Sequence, residues 1–358
     1  MEHDMNEVGI LPLQFCMTGM VVAADVSNGK NVVAHRSSEI TTVMLDNFRK
    51  SDIEEVPVIL TGKTQDVYDD YKMKKSLEQC ISEYKLDYKL IKKELKRLFI
   101  KKIYTCEYIS EITTLLLSNL ITIDKESVFC CIDGIRTIDE YLYTHSINVA
   151  MLACLFARWT NMTEDETVEL VTAGLLHDIG KTKIDKNIIM KSSDIDAADA
   201  RILKKHSLYS YEILNEIPGI QESIRTATYC HHEKLNGSGY PRGLSGDQIS
   251  RFSRILSICD IYDAMMANKT YRKRQSSFHV FDVFMSDKLN GNLDFDLVTL
   301  FLDKISGQFI GKSVLLDDRR KGKIIFMNPN DYARPLIQVK EEIIDTSAEK
   351  VKIIDIIN

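Results

Sequence analysis

The stretch Ala173–Lys181, which reads A-G-L-L-H-D-I-G-K, joins the end of an apolar segment to three side chains that can do chemistry. Its small, apolar beginning is typical of a buried helix. Helical spacing places His177 and Lys181 on one face, with Asp178 about 100° round from His177. An imidazole nitrogen and a neighbouring carboxylate can bind one metal ion, although an isolated His-Asp pair more often ends a helix.

Further histidines and an aspartate extend this pattern on both sides of the stretch. They are His145, His206, the adjacent pair His231 and His232, and Asp260. Each lies in a segment of helical character, and a helix-length stretch separates each segment from the next. Helix bundles build di-metal sites from inward-facing side chains, with about one ligand-bearing segment per helix. Unrelated core histidines are the alternative, and this regular spacing disfavours it. We therefore predict a helical bundle with metal ligands in its core.

Length and charge limit the class of protein. The chain has 358 residues, enough for two or three domains with a sizeable core. Its net charge of −6 and pI near 5.8 argue against a protein that coats nucleic acid. No apolar run is long enough for a transmembrane helix, and the start M-E-H-D-M-N-E lacks the features of a signal peptide. We therefore expect a cytoplasmic protein with no membrane contact.

The cysteines are expected to be reduced and structural. There are eight of them with no C-x-x-C pair, a pattern that does not predict a disulfide framework in the cytoplasm. Cys230 and Cys259 each stand beside a candidate ligand. We expect both to pack as small apolar side chains.

The ends of the chain differ from its centre. Residues 1–65 predict a small α+β module with an Asn28-Gly29 hairpin signal and a short helix over 38–49. Its expected strands are Val21–Val26, Asn31–Ala34 and Val56–Leu60. His35 is expected to be an exposed residue and not a ligand. Residues 309–358 predict a β-rich extension packed on the helical domain or on the N-terminal module. Its expected strands are Lys312–Leu316, Lys323–Met327, Leu336–Val339 and Val351–Ile357.

Residues 66–126 predict a helical linker. Apolar residues recur at alternating four- and three-residue intervals: Leu77, Ile81, Tyr84, Tyr88, Ile91, Leu95 and Leu98. This heptad seam predicts either a parallel coiled-coil homodimer or an amphipathic helix packed on its own chain. Between 85 and 102, eight basic residues face two acids, which indicates a solvated face or a docking surface for an acidic signalling partner.

Residues 127–308 form a predicted helical domain that contains every candidate ligand. One glycine-rich segment, N-G-S-G-Y-P-R-G-L-S-G at 236–246, interrupts the helical pattern because glycine and proline disfavour helix interiors. It starts four residues after His232. We predict a loop over the metal centre in which Tyr240 offers a ring or a hydroxyl to a ligand.

The motifs H-D-I-G-K at 177–181 and H-H-E-K-L-N-G-S-G-Y-P at 231–241 closely resemble the HD-GYP branch of the HD phosphohydrolases. The resemblance implies that residues 127–308 are a catalytic domain, an HD-type helical bundle that hydrolyses cyclic di-GMP to linear pGpG. Whether hydrolysis continues to GMP stays open. Family members use divalent metals, commonly iron or manganese; zinc and nickel also suit imidazole and carboxylate ligands. The segment M-T-G-M-V-V-A-A-D-V at 17–26 is similar to an N-terminal module found in such proteins.

The resemblance also implies roles for individual residues. The first metal would be held by His145, His177, Asp178 and Asp260. Asp178 would bridge to a second metal that His206, His231 and His232 complete. The metals would share a hydroxide while Lys181 holds the scissile phosphate, which makes Asp178 and Lys181 the expected catalytic residues. The expected substrate contacts are Lys181, Gly239, Tyr240, Lys269 and Arg272.

Three positions depart from the family pattern. Members with three metals have a glutamate where this chain has Tyr141, so we expect two metal ions, although Glu140 is adjacent. Asn236 replaces the usual aspartate before G-S-G-Y-P, and Lys269 replaces an arginine and cannot bind phosphate in a bidentate way. No departure removes a ligand of the two-metal site, so activity is expected.

Two other functions stay open at this point. In the first alternative, the protein is an enzyme of the same fold with a different substrate. That substrate is another cyclic dinucleotide, such as cyclic GMP-AMP, or a nucleotide monophosphate ester. In the other, the chain is a non-hydrolytic sensor that signals to a protein partner through its N-terminal module and linker helix. A complete ligand set favours the enzyme.

Overall fold

The computed structural model describes residues 7–29, 31–121, 128, 132, 141–189, 191, 196–267, 276–349 and 351–357. The chain divides into two compact units, 1–83 and 84–358. The predicted fold class, mainly α with small sheets towards both ends, is confirmed. The division falls inside the segment predicted as a helical linker, and the four-region scheme stays a prediction.

The N-terminal unit contains two antiparallel strand pairs and a helix. Strand β1 (Val8–Pro12) pairs with β4 (Glu55–Ile59), and β2 (Val26–Ser27) pairs with β3 (Val32–Ala34). Helix α1 (Thr42–Lys50) begins where the Thr41 hydroxyl accepts a hydrogen bond from the Met44 amide. Their core includes Leu11, Val22, Phe48, Val56 and Val58, all fully buried.

Two predictions for this unit were wrong in detail. Strand β1 was not expected, and it is a partner of the predicted strand near Val56. The Val21–Val26 run is a strand only at its end, because Val21 and Val22 form isolated bridges to Glu39 and Val58. The apolar pattern identified buried residues correctly but could not show how far the pairing extends. His35 is exposed, as expected.

Helix α2 (Lys63–Lys101) contains the predicted apolar seam. Its described C-terminal half is buried within the chain itself: Tyr88 is 4% exposed, and Ile91, Leu95 and Leu98 are 0% exposed. This is the packing expected of an amphipathic helix on its own chain. The side chains of Leu77, Ile81 and Tyr84 lie outside the described residues, and a homodimer stays a prediction.

The remaining helices build the C-terminal unit. They are α3 (Cys106–Ile121), α4 (Tyr141–Trp159), α5 (Glu164–Leu176), α6 (Lys186–Ile189), α7 (Ala197–Lys204), α8 (His206–Asn215), α9 (Glu222–Cys230), α10 (Arg251–Met266), α11 (Ser277–Leu289) and α12 (Phe295–Ser306). A capping box between Thr163 and Glu166 starts α5. Helix α4 is buried from Thr144 to Ala157. It crosses α5 closely, because a Cβ on Gly174 would lie only 2.8 Å from Ala150 Cα.

Five antiparallel strands complete this unit: β5 (Ser313–Leu316), β6 (Lys321–Phe326), β7 (Leu336–Val339), β8 (Glu342–Asp345) and β9 (Ile353–Ile357). Their order is β8-β7-β6-β5-β9. The edge strand β8 was not predicted, since its sequence E-I-I-D has too few apolar residues for a clear alternation. The Tyr332 hydroxyl donates a hydrogen bond to Asp303 on α12, which ties the β-rich extension to the helices. Within the described residues, no helix is both long and apolar enough to cross a bilayer.

The burial of α2 predicts how stability responds to mutation. Leu95→Ala should lower the free energy of unfolding by about 2–5 kcal/mol, because it removes a fully buried side chain. Leu90→Ala on the same helix is the control, since Leu90 is 43% exposed. Denaturant unfolding of both variants and the parent measures the difference. Equal losses would show that α2 does not pack as described.

Candidate metal centre

Seven predicted ligands converge at one place in the helical unit. His145 lies on α4 and Asp260 on α10, while the others lie at helix ends, where the backbone turns. His177 follows the last residue of α5, His206 begins α8, and His231 follows α9. Ligands at helix ends converge more easily because each helix approaches the centre end-on.

A tight backbone contact fixes the turn after His177. The Gly180 amide donates a hydrogen bond to Ser210 Oγ at 2.9 Å, and Ser210 Oγ donates to the His177 carbonyl at 2.8 Å. A Cβ on Gly180 would lie 2.0 Å from the His206 carbonyl oxygen, so only glycine fits. This contact holds the two ligand-bearing segments against each other.

The ligands form two groups. In the first, His145 Nε2 lies 2.9 Å from Asp260 Oδ1 and 3.3 Å from His177 Nε2. These three residues are close enough to share one metal ion. In the second, His206 Nε2 lies 3.4 Å from His231 Nε2 and 3.1 Å from His232 Nε2. This second set also meets the distances for one ion.

Asp178 lies between the two groups and is only 1% exposed. Its Oδ2 is 3.4 Å from His177 Nε2, and its Oδ1 is 3.4 Å from His206 Nε2. Within the described residues Oδ1 accepts no hydrogen bond, which is costly for a buried carboxylate oxygen. A cation bound there would remove this cost, so the donor set fits one metal ion in each group with Asp178 between them.

Hydrogen bonds donated by Nδ1 to backbone carbonyls orient three of the imidazoles. His177, His206 and His231 each donate from Nδ1 to a carbonyl three residues earlier, on Gly174, Leu203 and Thr228, at 2.7–2.8 Å. The Nε2 atom of each ring is therefore the one that faces the centre. Such outer hydrogen bonds are characteristic of metal-binding histidines.

Asp263 orients His145 and is a functional residue that the sequence analysis missed. It is 1% exposed, and its Oδ2 accepts a hydrogen bond from His145 Nδ1 at 2.8 Å. Asn148 donates to its other oxygen at 2.9 Å. Asp263 lies three residues after Asp260, so helical spacing places both carboxylates on the same face of α10. This spacing could have identified Asp263 from the sequence.

The site holds its acids ionised and most of its imidazoles neutral. Burial opposes ionisation of Asp178, but Lys181 and the histidines hold the pKa of this carboxyl well below its usual range. Burial lowers the pKa of His206, of His231 and, to about 3, of His232. For His145 burial acts the same way, but hydrogen bonds to Asp260 and Asp263 raise the pKa to about 9. A metal on His145 must therefore displace a proton.

Lys181 contributes a positive charge beside the Asp178 carboxylate. Its ammonium lies 2.5 Å from Asp178 Oδ2 while its side chain keeps 24% of its surface exposed. The Tyr240 ring stacks on His232 with centroids 4.7 Å apart. Burial and the nearby carboxylates raise the pKa of the Tyr240 hydroxyl, which therefore stays protonated as a hydrogen-bond donor.

Cys230 and Cys259 are buried, as predicted, and burial raises the pKa of the Cys230 thiol to about 11.

Part of this chain is similar to known proteins. The HD domain family matches residues 130–296. A cyclic di-GMP phosphodiesterase of Pseudomonas aeruginosa is 27% identical over 57% of this chain and 49% of its own length. One of Borreliella burgdorferi is 30% identical over 55% of this chain and 52% of its own. Residues 130–296 of this chain are therefore similar to HD domains, and the motifs at 177–181 and 231–241 resemble those of the HD-GYP branch.

Two further comparisons extend this result. A 3′3′-cGAMP-specific phosphodiesterase of Vibrio cholerae is 39% identical over 37% of this chain and 28% of its own length. This chain thus matches about half, or less, of each of these relatives. Bd1817, an HDG"Y"P protein from Bdellovibrio bacteriovorus, has a similar fold, with a TM-score of 0.54 and 14% identity over 84% of this chain and all of that one.

The loop that carries the G-Y-P sequence at 239–241 is held by Glu233, which is 3% exposed. Its carboxylate accepts hydrogen bonds from the amides of Arg242 at 2.6 Å and Leu244 at 3.0 Å. Gly239 packs against this segment, since a Cβ there would lie 2.4 Å from the Lys234 nitrogen. This contact gives Gly239 a structural role beside its predicted substrate contact.

Asn236, one departure from the family pattern, keeps its loop hydrogen bonds. Its side-chain oxygen accepts from the Ser238 amide at 3.0 Å, and its amide donates to Asn292 at 2.7 Å. The ring of Tyr141, a second departure, stacks on His145 with centroids 5.3 Å apart. Lys269, Arg272 and Glu140 lie outside the described residues.

The contact between Asp263 and His145 predicts an effect on metal affinity. Asp263→Asn should weaken metal binding about 10–100-fold, because the amide can no longer fix the imidazole as the carboxylate does. Asp282→Asn on α11 is the control, since Asp282 pairs with Arg334 at the surface. Metal titration monitored by calorimetry measures both. Unchanged affinity in Asp263→Asn, with folding intact by circular dichroism, would contradict this role.

Proposed function

We propose that this protein is a metal-dependent phosphodiesterase that hydrolyses cyclic di-GMP to linear pGpG, with GMP as a further product. The observation that carries the proposal is the buried Asp178 carboxylate, which presents one oxygen to each of two histidine groups. The names of the relatives from Pseudomonas aeruginosa and Borreliella burgdorferi support the substrate.

The metal centre is proposed to hold two divalent ions, with iron or manganese first and zinc or nickel as alternatives. His145, His177 and Asp260 would hold one ion, and His206, His231 and His232 the other, with Asp178 shared. Two bound ions would supply Lewis acidity at the phosphate and lower the pKa of water between them. The Tyr141 ring on His145 supports two ions, because a phenol ring stands where a further carboxylate ligand would be needed.

The chain's own residues orient the phosphate and balance its charge. Lys181 already contacts Asp178, so its ammonium stands where negative charge develops on a phosphate between the two groups. Tyr240 offers a protonated hydroxyl and a ring face at the second group. By resemblance to the family, Lys269 and Arg272 are proposed to contact the dinucleotide as well.

A second substrate, cyclic GMP-AMP, is supported by the 39% identity to the Vibrio cholerae relative. Turnover assays with cyclic di-GMP and cyclic GMP-AMP on purified, metal-analysed protein separate the candidates. Hydrolysis of cyclic di-GMP at the higher kcat/KM is expected. Preferential hydrolysis of cyclic GMP-AMP would change the substrate, and binding without turnover by metal-loaded protein would indicate a sensor.

Metal content is predicted to be two ions per chain, because seven ligands divide into two groups. His206→Ala and His232→Ala should lose mainly one ion, whereas Asp178→Ala should lose both, since its carboxylate lies between the groups. Elemental analysis of anaerobically purified protein gives the counts. Three ions in the parent, or retention of both ions by Asp178→Ala, would contradict the assignment.

Lys181 and Tyr240 are predicted to act on different kinetic constants. Lys181→Ala should lower kcat strongly with a modest change in KM, because the ammonium stabilises charge that develops in the transition state. Tyr240→Ala, like Arg272→Ala, should chiefly raise KM. Steady-state kinetics with the metal content matched across variants measure this difference. A Lys181→Ala variant changed only in KM would refute the transition-state role.

A further inference from the structure

Lys204 brings a positive charge to the edge of the second histidine group. It is the last residue of α7, two positions before His206, and its side chain is exposed. Its ammonium lies 5.1 Å from the centroid of the Tyr240 ring, the same ring that stacks on His232. A cation, an aromatic ring and a predicted metal ligand are therefore in successive contact.

Three other lysines of the same segment of the chain have carboxylate partners. Lys181 pairs with Asp178, Lys183 lies 3.1 Å from Glu212 and Lys191 pairs with Asp199. For Lys204 no carboxylate within 4.0 Å is found among the residues that the structure describes, and the Tyr240 ring is the contact of its ammonium. A cation–π contact at an exposed position is weak. The Lys204 ammonium is thus available to an anion that binds beside the loop.

The substrate class supplies such an anion. A cyclic dinucleotide has two phosphodiester groups, each with one negative charge, and only one of them is cleaved at a time. The cleaved group belongs between the histidine groups, beside Lys181, so the other phosphate must lie away from Asp178. An ammonium pairs well with a single phosphate as a compact point charge.

We infer that Lys204 binds the uncleaved phosphate of a cyclic dinucleotide. Its ammonium would exchange the contact with the Tyr240 ring for a contact with this phosphate. This inference rests on the proposed function and adds one residue to the substrate contacts that the family resemblance implies. Lys204 would then contribute to selection of a substrate with two phosphates, whereas Lys181 would act on the reacting one.

The test compares two substrates that differ in the number of phosphodiester groups. Cyclic di-GMP has two, and bis(p-nitrophenyl) phosphate has one. Lys204→Ala should raise KM for cyclic di-GMP about tenfold, the loss expected for one charged hydrogen bond, with little change in kcat. Its kinetics with bis(p-nitrophenyl) phosphate and its metal content should match the parent. Lys204→Arg should keep most of the affinity, and Lys205→Ala, at the adjacent exposed lysine, should behave as the parent.

Equal effects of Lys204→Ala on both substrates would overturn the inference, because they would show that Lys204 acts through Tyr240 and His232 on the centre itself. No effect on either substrate would also overturn it. A parent that cleaves only the single diester would refute the proposed function instead. Equilibrium binding of cyclic di-GMP would then decide: weaker binding by Lys204→Ala supports the inference, and equal or absent binding by both proteins refutes it.

Discussion

The structure of the centre depends on one buried charge, the carboxylate of Asp178. Transfer of an ionised carboxylate from water into a protein interior costs several kcal/mol unless other charges and hydrogen bonds offset it. Lys181 supplies one counter-charge at Oδ2, while Oδ1 faces imidazole nitrogens that burial keeps neutral. A cation bound between the two histidine groups would offset the cost that remains at Oδ1.

The imidazoles can face such a cation because hydrogen bonds within the protein orient their rings. Three of them use backbone carbonyls of their own helical turns, so the sequence interval of three residues alone fixes which nitrogen faces inward. His145 differs, since it lies in mid-helix, where the backbone carbonyls are already used. Its Nδ1 instead requires Asp263 from another helix. The first group is therefore more sensitive to how α4 and α10 pack.

Local sequence was enough to predict the helical fold and the side chains that converge at the centre, but not every contact. The seven candidate ligands could be selected from H-D-I-G-K, the paired histidines and the helix-length intervals between them. Asp263 was missed because its contact with His145 joins two residues that are distant in sequence. Strands β1 and β8 escaped for a similar reason, since pairing with a distant partner, not their own composition, makes them strands. The Asn236 loop kept its hydrogen bonds because an amide oxygen can accept them as a carboxylate does.

The glycine at position 180 gives the centre a property that no ligand side chain could provide. Its missing Cβ allows two backbone segments to touch, one leading from His177 and the other beginning at His206. The distance between the segments that carry His177 and His206 is therefore set by a backbone contact. A substitution of a side chain around Gly180 would leave this spacing unchanged, whereas a substitution of Gly180 itself would force the two backbone segments apart.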